Sequence, residues 1–276
     1  MPGLDAGRVS LHRVSFGYLA RPLVVRDISL RLRVGEYVGL VGGNGSGKTT
    51  LARLLSGLLI PTSGKVEVEG YEPKNLDIAS APVVFVGSEP ESQILTTSVF
   101  DEVAFSLRAR PLPPDEIMAR TNQVLAWFDL EAHAERHPGH LSAGEQLRLL
   151  VAAAIARGPL LWVLDEVASM VDTQHWRAII ARVCEWCRQD TLGLMVITHR
   201  LEDVRSADRV VVMHAGAIVV EGSAATIYAR AQQETDWRIE LPLVYQVGQL
   251  LSADCQRELA ELSMFAPETK APSHVV

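Results

Sequence analysis

The chain has 276 residues, room for one large or two modest domains, and its 48% hydrophobic and 21% charged content excludes a disordered or collagen-like polymer. Lys and Arg together number 26 against 33 Asp and Glu; the resulting formal charge of -7 disfavours a dedicated nucleic-acid binder. Three cysteines (Cys184, Cys187 and Cys255) are too few and too oddly numbered for a disulfide framework and fit a reducing compartment. No run reaches the roughly 18 uncharged apolar residues of a membrane span, and residues 1–8 lack the apolar core of a secretory signal. The cytosol is therefore expected, with any membrane role exercised through a partner.

In chain order, β-branched runs at 9–16, 23–32 and 37–41 predict strands, and 47–58 predicts a helix. A turn at Pro61-Thr62-Ser63-Gly64 precedes a strand at 65–69, and 83–86 reads as a buried strand. From 98 to 157 the pattern turns helical, punctuated by Pro111, Pro113, Pro114, Pro138 and Gly139, which predicts an inserted helical subdomain. Continuous apolar runs at 160–164 and 194–198 predict strands of a parallel sheet covered on both faces, with 174–188 as the crossover helix. Residues 210–214 and 217–221, joined by Ala215-Gly216, predict a hairpin, and the pattern is helical from Ser223 onward.

Gly42-Gly43-Asn44-Gly45-Ser46-Gly47-Lys48-Thr49 follows one of these strands and opens a helix, the context a phosphate-binding loop requires. Backbone amides freed by the glycines would wrap phosphates, helped by the helix N-terminus and the Lys48 charge, while Thr49 would reach Mg²⁺. The strand at 160–164 runs straight into Asp165-Glu166 and so presents two carboxylates at the carboxyl edge of the sheet. Asp165 would hold Mg²⁺, and Glu166 would act on the attacking water as general base.

Leu141-Ser142-Ala143-Gly144-Glu145, lying between these two motifs, resembles the signature of the ATP-binding cassette (ABC) family. Taken alone, the five residues would be a helix cap with Ser142 at its start. The resemblance implies a P-loop nucleotide-binding domain of α/β class: a mixed sheet core, an antiparallel β subdomain, an inserted helical subdomain at about 88–158 and a carboxyl-terminal helical extension. It divides the chain into a cassette at 1–222 and an extension at 223–276. It also implies ATP and Mg²⁺ as ligands, with Gly42, Asn44, Gly45, Ser46, Gly47, Lys48, Thr49 and Thr50 binding the nucleotide and Tyr18 stacking on adenine. Ser142, Ala143, Gly144 and Glu145 would meet the γ-phosphate held by an opposing subunit. His199 matches the family's switch histidine, and Asp172, in Ser169-Met170-Val171-Asp172, matches its dimer-contacting loop.

Residues 83–107 resemble the energy-coupling-factor branch of that family, as do Leu241-Pro242 and the helical pattern running to about residue 262. Matched without a gap, the branch's Mg²⁺-contacting glutamine falls on Ser88, whose side chain is too short for the same reach. The signature also departs from the family, with Ala143 in place of glycine. The branch resemblance implies a peripheral subunit on the cytoplasmic face of the membrane, energising uptake of a vitamin or transition metal. Its implied partners are a transmembrane coupling subunit, a membrane substrate-binding subunit and a second cassette ATPase, with no nucleic acid. The altered position 88 favours a heterodimer over a homodimer. A soluble cassette ATPase, or a partner that binds ATP but hydrolyses it weakly, are the rival readings.

Two further spacings invite a chemical reading. Cys184-Glu185-Trp186-Cys187 has redox spacing but falls inside the predicted crossover helix, where packing is expected. His133, His137 and His140 have metal-like spacing broken by Pro138-Gly139, and they are expected to bind no zinc.

Overall fold

A computed structural model describes residues 9–19, 22–33, 35–70, 72, 82–87, 89, 92–108, 111–190 and 192–242. Strands β1 (Val9–Phe16), β2 (Val25–Leu32) and β4 (Ser63–Val68) form an antiparallel sheet in the order β2-β1-β4. The second sheet has six strands: β3 (Tyr37–Val41), β5 (Val83–Val86), β6 (Leu161–Asp165), β7 (Gly193–Thr198), β8 (Arg209–His214) and β9 (Ala217–Gly222). Their spatial order is β5-β6-β7-β3-β8-β9, all parallel except the β8-β9 hairpin. The hairpin turns at Ala215 and Gly216, both with positive φ, in the tight left-handed geometry that a two-residue hairpin loop needs.

Side chains alternate along each central strand between two apolar layers. Tyr37, Trp162, Leu164, Leu194, Val196, Val210 and Val212 join the layer built with the helices α4 (Ala143–Ala156) and α5 (Thr173–Asp190). Val38, Leu40, Leu161, Val163, Met195, Ile197, Val211 and Met213 join the opposite layer, with α1 (Lys48–Leu55) and the inner face of the antiparallel sheet. Both faces are thus dry, which is why these strands are apolar throughout instead of alternating with polar residues. Each fully buried Val or Leu contributes about 1.5–3 kcal/mol of apolar burial.

The helical stretch between β5 and β6 comprises α2 (Val99–Arg108), α3 (Pro114–Trp127) and α4, packed on one another. Pro113 and Pro114 start α3, where a missing N–H costs nothing. Helix α6 (Ala224–Ala231), capped by the Ser223 hydroxyl on the Thr226 amide, packs on β8 and β9. The strands expected at 9–16, 37–41 and 83–86 recur with the same ends, and the other strands, α1 and α5 with ends moved by at most three residues. The first turn of the predicted 47–58 helix is set by Gly47, whose left-handed φ of 104° makes it the cap and not a helical residue. The helical pattern beyond Pro242 and Ser88 lie outside the described residues.

Candidate active site

Parallel pairing brings three strand ends side by side. Strand β7 lies between β6 and β3, with Asp165 opposite Ile197 and Val41 opposite Thr198. The turns that follow carry Glu166, His199 and the phosphate loop, so one edge of the sheet collects all three.

The loop from 42 to 47 leads from β3 into α1, with Asn44 and Gly45 exposed and Ser46 buried. Gly47 sits so tightly that a Cβ there would lie 2.6 Å from the Val24 carbonyl oxygen. Lys48 Nζ donates to the carbonyl oxygens of Gly42 at 2.8 Å and Gly43 at 3.2 Å, and stands 3.6 Å from Glu166 Oε1. Burial holds the lysine below its ordinary pKa, while the Glu166 and Asp165 carboxylates pull it back up.

Asp165 ends β6 almost completely buried, beside the Thr49 hydroxyl, and has its Oδ1 without a partner. Burial raises its pKa, against the pull of the neighbouring Thr49 hydroxyl, which lowers it. Glu166 turns the chain with φ at 56°, a left-handed conformation uncommon for a residue bearing a Cβ. Its amide donates to the Ile197 carbonyl at 2.9 Å, and its Oε2 lies 2.9 Å from His199 Nδ1. Behind His199, the Thr198 hydroxyl donates to buried Asp203 at 2.8 Å and accepts from the Arg200 amide, which fixes the turn after β7.

The donor set fits a hard divalent cation. Asp165 Oδ1 is a buried anionic oxygen with no other partner, Thr49 supplies a hydroxyl beside it, and both are oxygen donors of the kind Mg²⁺ takes alongside substrate phosphates.

The signature residues lie elsewhere. Ser142 caps α4 in a full capping box: its amide and hydroxyl donate to Glu145 Oε2 at 2.8 and 2.7 Å, and the Glu145 amide donates back to Ser142 Oγ at 3.4 Å. Ala143 and Gly144 form the first turn of α4, and a Cβ on Gly144 would sit 3.3 Å from Val171. Asp172 caps α5 by accepting from the Gln174 and His175 amides, both at 3.0 Å; the His175 amide first, then the His175 ring, hold its carboxyl below the usual range. Ser142, Gly144, Glu145 and Asp172 line one surface groove of about 520 Å³ that includes no phosphate-loop residue.

Tyr18, 37% exposed, packs edge-on against Phe16 with its hydroxyl 3.3 Å from the Thr50 hydroxyl, so it borders the start of α1. Cys184 and Cys187 are buried within α5. His133 turns to Glu145 at 3.0 Å, and His137 accepts from the Gly139 amide. Sequence reasoning missed Trp237 and Glu240, which reach the site from the far end of the described chain. The signal was a carboxylate directly before Leu241-Pro242, passed over because no periodicity marks it.

The ABC transporter family matches residues 25–169, just over half of the chain. The chain is 31% identical over 239 residues to the energy-coupling factor transporter ATP-binding protein EcfA1 of Enterococcus faecalis, covering 85% of each. It is 32% identical over 247 residues to the protein of the same name from Bacillus subtilis, covering 88% of each. Against the Levilactobacillus brevis EcfA1 the identity is 35% over 218 residues and 78% of each chain. Among solved structures, CbiO1 from Clostridium perfringens, part of the ABC transporter complex CbiONQ, superposes with TM-score 0.75 at 22% identity, covering 94% of this chain and 100% of that one. The ATP-binding cassette MJ0796, in a dimeric post-hydrolysis state bound to ADP and Pi, gives TM-score 0.70 at 22% identity, over 78% of this chain and 98% of that one. These superpositions establish the fold, and the sequence matches establish descent: the chain belongs to the ABC transporter family, among the ATP-binding proteins of energy-coupling factor transporters.

Proposed function

We propose that this chain supplies two complementary halves of an ATP clamp, one built on Lys48, Asp165, Glu166 and His199 and the other on Ser142 and Gly144. As a member of its family the chain is an ATPase subunit whose hydrolysis energises uptake through an energy-coupling factor transporter. The observation that carries the clamp reading is the separation of the signature groove from the phosphate loop. A nucleotide touching both needs a second cassette. Heterodimeric pairing with a similar ATPase is our preferred arrangement.

In this reading Lys48 leaves the Gly42 and Gly43 carbonyls for the β- and γ-phosphates, and the loop amides complete the cradle. Thr49 and Asp165 would hold Mg²⁺, which when bound neutralises charge on the phosphate oxygens. Glu166 takes the proton of the attacking water as the new oxygen–phosphorus bond forms and ADP leaves, with His199 holding the carboxylate through Nδ1. Tyr18, beside Thr50, stacks on adenine.

We assign residues 1–222 to the cassette and 223–276 to the carboxyl extension. We place the chain at the periphery of the membrane because its relatives are ATP-binding proteins of energy-coupling factor transporters; among the described residues no helix is long and apolar enough to cross one. Leu95 at 71% and Phe105 at 50% exposure support an apolar docking surface for the transmembrane coupling subunit, which stands with a membrane substrate-binding subunit. Purification of tagged protein from its native cells in mild detergent, followed by mass spectrometry, tests this. Co-purification of a polytopic membrane protein and a second cassette is expected, and recovery of the chain without membrane partners would refute the docking assignment.

A further inference from the structure

The segment closing the described chain is tied to both sides of the site. The Trp237 carbonyl accepts from the Gly43 amide at 2.9 Å, which anchors the segment on the phosphate loop. Three residues later Glu240 forms a parallel bridge with Arg200: its amide donates to the His199 carbonyl at 2.7 Å, and its carbonyl accepts from the Leu201 amide at 3.0 Å. The bridge brings the Glu240 carboxylate to 3.6 Å from His199 Nε2, while His199 Nδ1 faces Glu166 at 2.9 Å. The imidazole therefore stands between two carboxylates, one from the end of β6 and one from the carboxyl-terminal segment.

We propose that Glu240 is a positioning residue for His199 in ATP hydrolysis. This rests on the reading of Glu166 and His199 as the hydrolytic pair. The physical basis is the rotation of a histidine ring. Its χ2 torsion is broad and roughly two-fold, and a half-turn would put carbon in place of nitrogen at both edges at once, so the two carboxylates act on the same flip. A second acceptor facing Nε2 favours the orientation that presents nitrogen, not carbon, at both edges. The Glu240 side chain is 53% exposed, so the pair adds little stability by itself, and its effect is on orientation. Because the ties to Gly43, His199 and Leu201 run through the backbone, changing the Glu240 side chain leaves the segment seated.

The test uses the assembled transporter complex, comparing wild type with Glu240→Ala, Glu240→Gln, Glu240→Asp and His199→Ala for kcat, KM for ATP and melting temperature. A kcat loss of about three- to thirtyfold in Glu240→Ala and Glu240→Gln is expected, below the roughly hundredfold cost of a 1 Å misplacement. KM and melting temperature should stay close to wild type, with Glu240→Asp recovering part of the rate. Full activity of Glu240→Ala alongside a loss in His199→Ala would overturn the positioning role alone. Full activity of His199→Ala would overturn the hydrolytic reading and this proposal with it. A rate loss matched by lower melting temperature and raised KM, with no recovery by aspartate, would mark Glu240 as merely structural and would also overturn it.

Discussion

The Gly43 amide and the Trp237 carbonyl are joined by a 2.9 Å hydrogen bond that seats the carboxyl-terminal segment on the phosphate loop. The approach leaves no room for a side chain. A Cβ on Gly43 would lie 2.7 Å from Arg238 Cβ and 3.1 Å from the Trp237 oxygen, so Gly43→Ala must displace one of the two. An overpacking cost of about 1–3 kcal/mol is expected. At roughly 2–4 °C per kcal/mol for a chain of this size, thermal unfolding should register it. An unchanged melting temperature would mean that the segment gives way without cost.

Asp165 is buried with one carboxylate oxygen unmatched. Its buried Oδ1 has no partner, and burial raises its pKa, so the ionised carboxylate destabilises the nucleotide-free fold. Replacing it with the neutral isostere in Asp165→Asn should raise the melting temperature without nucleotide, by the equivalent of about 1 kcal/mol. The same variant should lose the further rise that ATP with Mg²⁺ gives wild type. Differential scanning fluorimetry with and without ATP and Mg²⁺ reads both effects, and a variant still stabilised by them would remove Asp165 from the metal site.

Glu145 gives the signature helix a pH dependence of known sign. The Ser142 hydroxyl and amide hold its carboxyl below the usual glutamate range. A depressed pKa contributes stability that is present above the unfolded value of about 4.3 and lost as pH falls through the folded value. Glu145→Ala should therefore lower stability at pH 7 by the about 0.3–1.5 kcal/mol typical of such a capping interaction. The gap between variant and wild type, followed by thermal melts across pH, should begin to narrow as pH falls below the ordinary glutamate range and close once the folded-state carboxyl is protonated. A gap that persists there would show that the side chain acts through packing.

Much of the arrangement around the phosphate loop was legible because its motifs are local. The glycine spacing, the Lys48-Thr49 pair and the carboxylates ending an apolar strand each encode their geometry within a few residues. Ser142 announced itself as a helix cap in the same way, and the structure adds the reciprocal bond with Glu145. Parallel register was not local: nothing within the sequence near Asp165 states that Ile197 lies opposite it, although that pairing is what brings His199 to Glu166. Glu240 was less legible still. It reaches His199 through an isolated bridge of one residue pair, too short to leave a hydrophobic pattern. The Gly47 cap shortened the predicted helix for a similar reason, since a left-handed φ is permitted by glycine but not dictated by it.

The central claim is that Glu166 performs hydrolysis after Lys48 and its loop have bound ATP. Single-turnover hydrolysis by the assembled complex, with Glu166→Gln in this chain alone, tests it most directly. We predict a loss of about 10² to 10⁴ in the rate of γ-phosphate release from this chain's site, with ATP still bound. Phosphate release at the wild-type rate from that site would contradict the account.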